Sequence, residues 1–417
     1  MLTQLQFEVF AVFLLVYALI ISRRVGKFKI EVWMAMLLGA VLILALGITS
    51  LSTAVADVNT SVIIFLFGAF LIVCVMIQTG LLQYLAISFL RMARNPAMLL
   101  LLVISFVSLA SAFLVNDAVV LVTTPIVITA CDLAKLKKVP YLLAVAFSSN
   151  IGSALTPIGN PQNVLIKIES GIGTLYFIER MAIPVLLGVL VEYFVLRMMY
   201  RKDLAAKFDF ELPKPRVTLT DYRRAVAVGA IAGATILGFV TSDLTGAPVA
   251  LVAVIGGTAA LVVSSSRRDA IKSIDWGTLV FFISMFVVMG TVAASGLLNG
   301  VISIFSPTLF SHGTSSVISI FGLSLVVSQV TSNVPFVALM LPVFSSAGAS
   351  NSQWLSLAAG STLAGNLTLL GAAANIIVLE SAESKGSGFS YFEFLKAGLP
   401  VALITSAVAV LFLAFVV

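Results

Sequence analysis

The chain has 417 residues, of which 60% are hydrophobic and only 10% are charged, well under the roughly 25% charge of a soluble globular protein. With a mean hydropathy of +1.15, this composition excludes a water-soluble domain and predicts an all-α polytopic membrane protein. The apolar runs are continuous rather than alternating, which excludes a membrane β-barrel. The net charge of +6 comes from basic residues in loops and does not indicate a nucleic-acid partner.

Apolar runs, taken in chain order, predict ten membrane spans joined by mostly short loops. Two further apolar segments, about 98–130 and 315–349, are each interrupted by polar residues at their centres. We expect each of these two segments to form a re-entrant hairpin, because polar backbone at membrane depth must be covered by protein or line a cavity. The ten predicted spans are about 7–22, 30–49, 61–79, 141–166, 176–199, 222–242, 247–263, 276–295, 354–378 and 397–417.

The positions of the basic residues support this topology, because membrane proteins concentrate Lys and Arg in cytoplasmic loops. If both hairpins enter and leave on one side, every Lys and Arg except Lys167 and Arg180 lies on the cytoplasmic side. We therefore expect a multi-pass protein of the cell inner membrane with both termini outside. The hairpin tip at Asn116 is then approached from the cytoplasm and the tip at Asn333 from the exterior, and His312 lies in an external loop.

Similar motifs recur in the two halves of the chain, which indicates an internal repeat. Each half contains five spans, an odd number, so the second half enters the membrane from the opposite side. Two inverted five-span repeats, each with a re-entrant hairpin and a broken helix, are typical of secondary transporters. We expect the first repeat at 1–200, a cytoplasmic linker at 201–221 and the second repeat at 222–417. The matching residues are Ser111, Asn116 and Pro125 with Ser328, Asn333 and Pro342, and Ser149, Thr156, Gly159 and Asn163 with Ser361, Thr368, Gly371 and Asn375.

Polar residues interrupt one span of each half, at 156–163 and at 368–375. Pro157 and Pro161 prevent a continuous helix in the first of these segments, and unwound backbone at membrane depth often lines a solute site. We therefore predict one central site built from both hairpin tips and both breaks, although polar residues that only join helices are the alternative. The predicted substrate-binding residues are Asn116, Thr156, Gly159, Asn160, Asn163, Asn333, Thr368, Gly371 and Asn375.

Asp117 is the carboxylate predicted deep in the membrane at a break. Burial disfavours its charged form, so we predict that Asp117 binds and releases the coupling proton; sodium ligation and a purely structural role are the alternatives. Glu192 and Glu380 are predicted near helix ends, where they pair with cations or reach the interface. The two cysteines lie far apart in sequence and predict neither a disulfide nor a metal site. We expect no metal and no cofactor besides the coupling ion.

At these residues the chain resembles the ion transporter superfamily. This superfamily includes ArsB-type arsenite exporters, NhaD-type sodium/proton antiporters, the melanosomal P protein and sodium-coupled divalent-anion symporters. The similarity covers nearly the whole chain and is carried by Asn116 with Asp117, and by segments 149–163, 332–335 and 365–375. Dicarboxylate symporters have Ser-Asn-Thr at both tips, and NhaD-type antiporters have an Asp-Asn order at the first. The Val-Asn-Asp order at 115–117 favours the ArsB-like branch.

The resemblance implies a secondary active transporter rather than an enzyme, embedded in the lipid bilayer as a homodimer. We expect it to export a small inorganic solute, an oxyanion or a neutral hydroxide with arsenite or antimonite as the first candidate, coupled to the proton gradient by alternating access. The alternatives are a sodium/proton antiporter and a sodium-coupled organic-anion (dicarboxylate) symporter. The sequence contains no zinc-binding His pair, nucleophile elbow or Walker loop, which disfavours a membrane-embedded enzyme. Association with a cytoplasmic ATPase stays open.

Overall fold

The computed structural model describes residues 3–22, 24–25, 28–205, 219–297, 308–311 and 313–415. These residues form α-helices almost throughout, which confirms the all-α fold class. Two 3₁₀ turns lie at Asp203–Ala205 and Leu369–Gly371, and a short antiparallel pair joins β1 (Arg24–Val25) to β2 (Phe28–Lys29). The helices are α1 Gln4–Ser22, α2 Val32–Ala45, α3 Leu51–Asp57, α4 Thr60–Gln78, α5 Leu81–Leu90, α6 Pro96–Phe113, α7 Asn116–Leu133, α8 Val139–Ser153, α9 Pro161–Ser170, α10 Thr174–Met199, α11 Tyr222–Val240, α12 Ser242–Thr245, α13 Val249–Val263, α14 Arg267–Lys272, α15 Trp276–Ala294, α16 Thr314–Thr331, α17 Asn333–Ser346, α18 Asn351–Ala364, α19 Ala373–Glu383 and α20 Tyr391–Phe415.

Eight of the described helices are long and apolar enough to cross a membrane, namely α4, α6, α7, α10, α11, α15, α16 and α20. Polar side chains cap several of these helices where apolar sequence begins: Asn59 accepts a hydrogen bond from the amide of Val62, and Asn95 accepts one from the amide of Met98. Such caps satisfy amide groups that a helix start leaves without partners. Five of these eight helices, α4, α10, α11, α15 and α20, coincide with predicted spans, whereas α6, α7 and α16 belong to the two predicted hairpins.

Both interrupted apolar segments fold as helical hairpins. Helices α6 and α7 pack against each other across a two-residue turn at 114–115, and α16 and α17 do the same across Ser332. The two spans with polar centres are both broken: residues 154–160 separate α8 from α9, and residues 365–372 separate α18 from α19. Hairpin, broken helix and long final helix thus follow one another in the same order in both halves of the chain.

The helices pack as two groups that each draw on both halves of the sequence. The flanking group contains α1, α2, α4, α11, α13 and α15, and its strongest contacts join α4 to α13 and α2 to α15. The hairpin group contains α6–α10 and α16–α20. Within the hairpin group α7 packs on α19, and α9 packs on α17, so each half of the chain contributes to the packing of the other. The two packing groups therefore do not correspond to the two repeats. The predicted bounds of the repeats, 1–200 and 222–417, stay a prediction.

Several elements differ from expectation. Short helices α3, α5 and α14 were not predicted, because each is too short to produce an apolar run of membrane length. Lys167, an exception to the charge rule, is nearly buried, and its Nζ lies 2.9 Å from Oδ1 of Asp243 and donates to the carbonyl oxygen of Ile172 at 3.1 Å. Its charge is therefore neutralised within the protein. His312 and most of the predicted linker, 206–218, lie outside the described residues.

Glu192 also differs from expectation. It was predicted to pair with a cation or reach the interface, but its side chain is fully buried on α10, where α8 packs over it. Its Oε1 accepts a hydrogen bond of 2.8 Å from Oγ of Ser148. The prediction was wrong because a helix end in sequence does not reveal which face another helix covers.

Candidate functional site

A cavity of about 300 Å³ lies between the hairpin group and the flanking group. Its wall is formed by the tip of the second hairpin, the first turn of α7, the start of α19, and the residues that begin α2 and α15. The cavity thus lies where the two hairpins, a half-helix and the flanking helices meet. Its polar lining includes Glu31, Asp117, Asp275, Ser332, Asn333 and Glu380.

The described lining of the cavity is acidic. Four carboxylates line it, and none of its described lining residues is Lys or Arg. Glu31, Asp275 and Glu380 are exposed, whereas Asp117 is only partly accessible and lies deeper, in the first turn of α7. Like charges repel each other, so the described carboxylates disfavour a free multivalent anion. It suits a cation, a proton or an uncharged solute with hydroxyl groups.

Two of the carboxylates at the cavity mouth are held by neighbouring side chains. Nε1 of Trp33 donates to Oε2 of Glu31 at 2.7 Å. Asp275 is the N-cap of α15: its Oδ1 accepts from the amide of Thr278 at 2.9 Å, and its Oδ2 accepts from Oγ1 of Thr278 at 2.6 Å. These bonds fix the direction of both charges relative to the cavity.

The tip of the second hairpin contributes a strained residue and an amide to the cavity wall. Ser332 has φ 67° and ψ 164°, a region that essentially only glycine occupies without strain. Asn333 follows it, 4% exposed, and its Oδ1 accepts from the amide of Val334 at 2.9 Å. Strain of this kind clusters at functional sites, and a side-chain amide on the wall can hydrogen-bond to a polar solute.

The tip of the first hairpin is attached to the first broken helix. The amide of Asn116 donates to the carbonyl oxygen of Gly159 at 3.1 Å. No described residue donates to the buried Oδ1 of Asn116. Gly159 has no room for a side chain, because a Cβ there would lie 2.7 Å from the carbonyl oxygen of Ser111. The tip and the break therefore form one tightly packed unit beside Asp117.

The other polar residues of the first break bind backbone groups. Oγ1 of Thr156 donates to the carbonyl oxygen of Ala112. Asn160 is the N-cap of α9 and accepts from the amide of Asn163 at 2.9 Å. Nδ2 of Asn163 donates to the carbonyl oxygens of Thr156 and Ser153, at 3.1 and 3.3 Å. These side chains satisfy carbonyl and amide groups that unwinding would leave without partners.

The second break repeats this arrangement. Nδ2 of Asn375 donates to the carbonyl oxygens of Gly365 and Thr368, at 2.7 and 3.2 Å. Oγ1 of Thr368 donates to Oε1 of Gln329 at 2.7 Å, and a Cβ on Gly371 would lie 3.0 Å from that same oxygen. Asn163 and Asn375 thus each donate to the carbonyl oxygens seven and ten residues before them. This correspondence is what an internal repeat predicts.

The structure divides the ten predicted site residues into two sets. Asp117 and Asn333 line the cavity, whereas the other eight do not, and their polar groups bond mainly to backbone. Their role in binding a solute stays a prediction. Sequence analysis assigned none of Glu31, Asp275, Ser332 and Glu380 to the site, and it gave Glu380 a role in pairing with a cation or reaching the interface. Ser332 could have been included, because it lies beside Asn333 at the second hairpin tip.

Among the described residues, no group of three or more His, Cys, Asp or Glu side chains is placed to hold a metal ion. Cys74 and Cys131 are both buried and free. The four cavity carboxylates are therefore distributed around the wall rather than gathered at one point.

Comparison with known proteins adds to this geometry. A family model described as "Citrate transporter" (CitMHS) matches residues 17–364. Similar proteins include a 46 kDa membrane protein of Mycobacterium leprae (strain TN), 30% identical over 419 residues with 96% of each chain covered. The silicon efflux transporter LSI3 of Oryza sativa subsp. japonica is 27% identical over 440 residues with 90% of each chain covered. The YdaH transporter of Alcanivorax borkumensis superimposes with a TM-score of 0.59, covering 96% of this chain and 98% of that chain at 15% identity, a similarity of fold alone.

Proposed function

The chain belongs to the citrate transporter family, and we propose that this membrane transporter exports a small uncharged hydroxide or oxyanion by alternating access, driven by the proton gradient. Family membership confirms the resemblance to the ion transporter superfamily. The assignment to the ArsB-like branch stays a proposal, as do arsenite and antimonite as the first solutes.

The acidic cavity is the observation that carries this proposal. Arsenite at neutral pH is largely an uncharged trihydroxide, so four carboxylates and no described basic residue in the lining neither attract nor exclude it. The amide of Asn333 and the hydroxyl of Ser332 offer hydrogen-bonding groups on the same wall. Similarity to a transporter named for silicon efflux supports export of a hydroxylated solute and adds silicic acid as a candidate.

We propose Asp117 as the proton carrier. It lines the cavity from the first turn of a hairpin helix, deeper than the other three carboxylates. A proton bound to Asp117 from outside and released inside would supply the energy for export, while the solute occupies the cavity on the return step. Sodium in place of the proton is the alternative coupling ion.

The expected orientation predicts the side of the membrane to which the cavity opens. Glu31 follows the basic segment 23–29, and Asp275 follows basic helix α14, both on the expected cytoplasmic side. In that orientation the cavity opens to the cytoplasm, which is the state that would load solute for export. We further propose an inner-membrane location, external termini and a homodimer.

A sodium-coupled organic-anion symporter is the second candidate, because the family is described as citrate transporters. A polycarboxylate in this cavity would face four carboxylates. It would therefore have to enter with a cation that offsets the repulsion. A sodium/proton antiporter would need the same cation preference without an organic solute.

The test is uptake into inverted proteoliposomes of arsenite, antimonite, silicic acid and citrate, each with and without a pH gradient and with and without sodium. We expect gradient-driven uptake of a neutral hydroxide that is insensitive to sodium. Asp117→Asn keeps the shape of the side chain but cannot titrate, so it should lose gradient-driven uptake and retain solute exchange. Asp132→Asn, at the far end of the same helix, is the control.

Full gradient-driven uptake by Asp117→Asn would exclude the proposed coupling residue. Uptake of citrate with sodium, and of no hydroxide, would assign the protein to the sodium-coupled symporters instead.

A further inference from the structure

Asp117 and Asp275 face the same cavity from different packing groups. Asp117 belongs to α7 of the hairpin group, and Asp275 precedes α15 of the flanking group. Both line the cavity. Any movement of the hairpin group against the flanking group therefore changes the distance between these two carboxylates.

Asp275 is a fixed charge. The amide and the hydroxyl of Thr278 both donate to its carboxylate, and the positive end of the α15 helix dipole stabilises a negative charge at an N-cap. The position of Asp275 is thus set by α15 itself, independently of the hairpin group.

The other described ionisable side chains that line the cavity are also acidic. Glu31 lies at the start of α2 and accepts from Trp33, and Glu380 lies on α19. None of the described cavity-lining residues offers a positive charge, so nothing in the described wall compensates a second negative charge at Asp117.

We infer that Asp275 is the fixed negative charge that makes the position of the hairpin group against the flanking group depend on protonation of Asp117. This inference rests on the proposed proton coupling. With Asp117 protonated, the hairpin group can lie close to Asp275 without repulsion. When the proton leaves, the two carboxylates repel each other, and this favours movement of the hairpin group away from the flanking group. Asp275 is a positioning residue for coupling and need not touch the solute.

The test is a titration of Asp117 in the purified full-length protein, followed by infrared difference spectroscopy of its carboxylic acid band. The band is assigned by its loss in Asp117→Asn. Asp275→Asn removes the charge but keeps a good N-cap. We expect the midpoint to move to lower pH by about half a unit, because removing a nearby negative charge favours the ionised form of Asp117. The shift should be larger at low ionic strength, since Asp275 is exposed and salt screens its charge.

Asp221→Asn is the matched control, because Asp221 caps α11 by accepting from the amide of Arg224 and does not line the cavity. It should leave the midpoint unchanged. If Asp275→Asn does not fold, Asp275→Ser provides another neutral N-cap.

An unchanged midpoint in the neutral Asp275 variant, a shift to higher pH, or the same shift in Asp221→Asn would overturn the inference. The titration requires no solute. A wild-type protein that transports none of the tested solutes would therefore contradict the proposed function separately from the role of Asp275.

Discussion

Nδ2 of Asn150, on α8 of the first half, lies 2.9 Å from Oδ1 of Asn366 and 3.1 Å from Oδ1 of Asn375, both in the second half. The reciprocal contact also exists. Oγ1 of Thr362, on α18, accepts from Nδ2 of Asn160 and Nε2 of Gln162, each at 3.3 Å. The helices that precede the two breaks, α8 and α18, thus each hydrogen-bond to residues at the break of the opposite half. These contacts hold the two breaks together as one buried unit.

Asn150→Ala should therefore destabilise the fold. It removes the donor to two buried amide oxygens, which costs about 2 kcal/mol. The measurement is the thermal melting temperature of the purified protein in detergent. Asn351→Ala, at an exposed position in the first turn of α18, should change it little. Equal melting temperatures for both variants would show that the contact between the breaks does not stabilise the fold.

Asn333→Ala and Asn375→Ala should separate solute binding from support of the break. Asn333 lines the cavity, so its replacement should impair transport and leave the melting temperature nearly unchanged. Asn375 donates to two carbonyl oxygens of its break, so its replacement should also lower stability by about 1–3 kcal/mol.

Asn116→Ala is expected to impair transport with folding largely intact, because its buried Oδ1 receives no hydrogen bond from a described residue. Transport per folded molecule is the quantity to compare among the three variants. If Asn333→Ala lost stability but transported normally, Asn333 would be structural.

Ser332→Gly should raise stability by about 1 kcal/mol, because glycine occupies the φ and ψ of this residue without the strain that serine bears. Ser332→Ala is the control: it removes the same hydroxyl but keeps the strain. Melting temperatures of the two variants separate backbone strain from the hydroxyl. A rise in both, or in neither, would contradict strain at the tip.

Gly257→Ala should weaken the contact between α4 and α13. A Cβ at this position would lie 2.6 Å from the carbonyl oxygen of Gly68, so the helices must separate, at a cost of about 1–3 kcal/mol. Gly233→Ala, on α11, meets no atom within 4 Å and should be neutral or stabilising by up to about 1 kcal/mol. Thermal unfolding compares the two, and equal effects would exclude close packing at Gly257 as the cause.

Single cysteines at Lys137→Cys and Thr314→Cys, in a background without Cys74 and Cys131, test the topology. In the inverted-repeat arrangement the two positions lie on opposite sides of the membrane. An impermeant thiol reagent added to sealed cells should therefore label Thr314→Cys, whereas Lys137→Cys should react only after permeabilisation. Labelling of both from one side would exclude the inverted orientation.

Sequence alone determined the features that depend on local chemistry. Long apolar runs predict membrane helices, and Pro157 and Pro161 prevent a continuous helix. The hairpin tips and both breaks could be placed because a polar or helix-breaking residue in an apolar run acts on its own segment. The recurrence of the same residues in both halves added the repeat.

Only the tertiary structure decided what each polar side chain binds. Asn163 and Asn333 look equivalent in sequence, yet Asn163 donates to two carbonyl oxygens of its break and Asn333 lies on the cavity wall. Asp275 begins a helix far from Asp117 in sequence and shares its cavity because α15 packs beside the second hairpin. An amide or a carboxylate satisfies its hydrogen bonds with any suitable group in reach, and which groups are in reach depends on packing between segments distant in sequence.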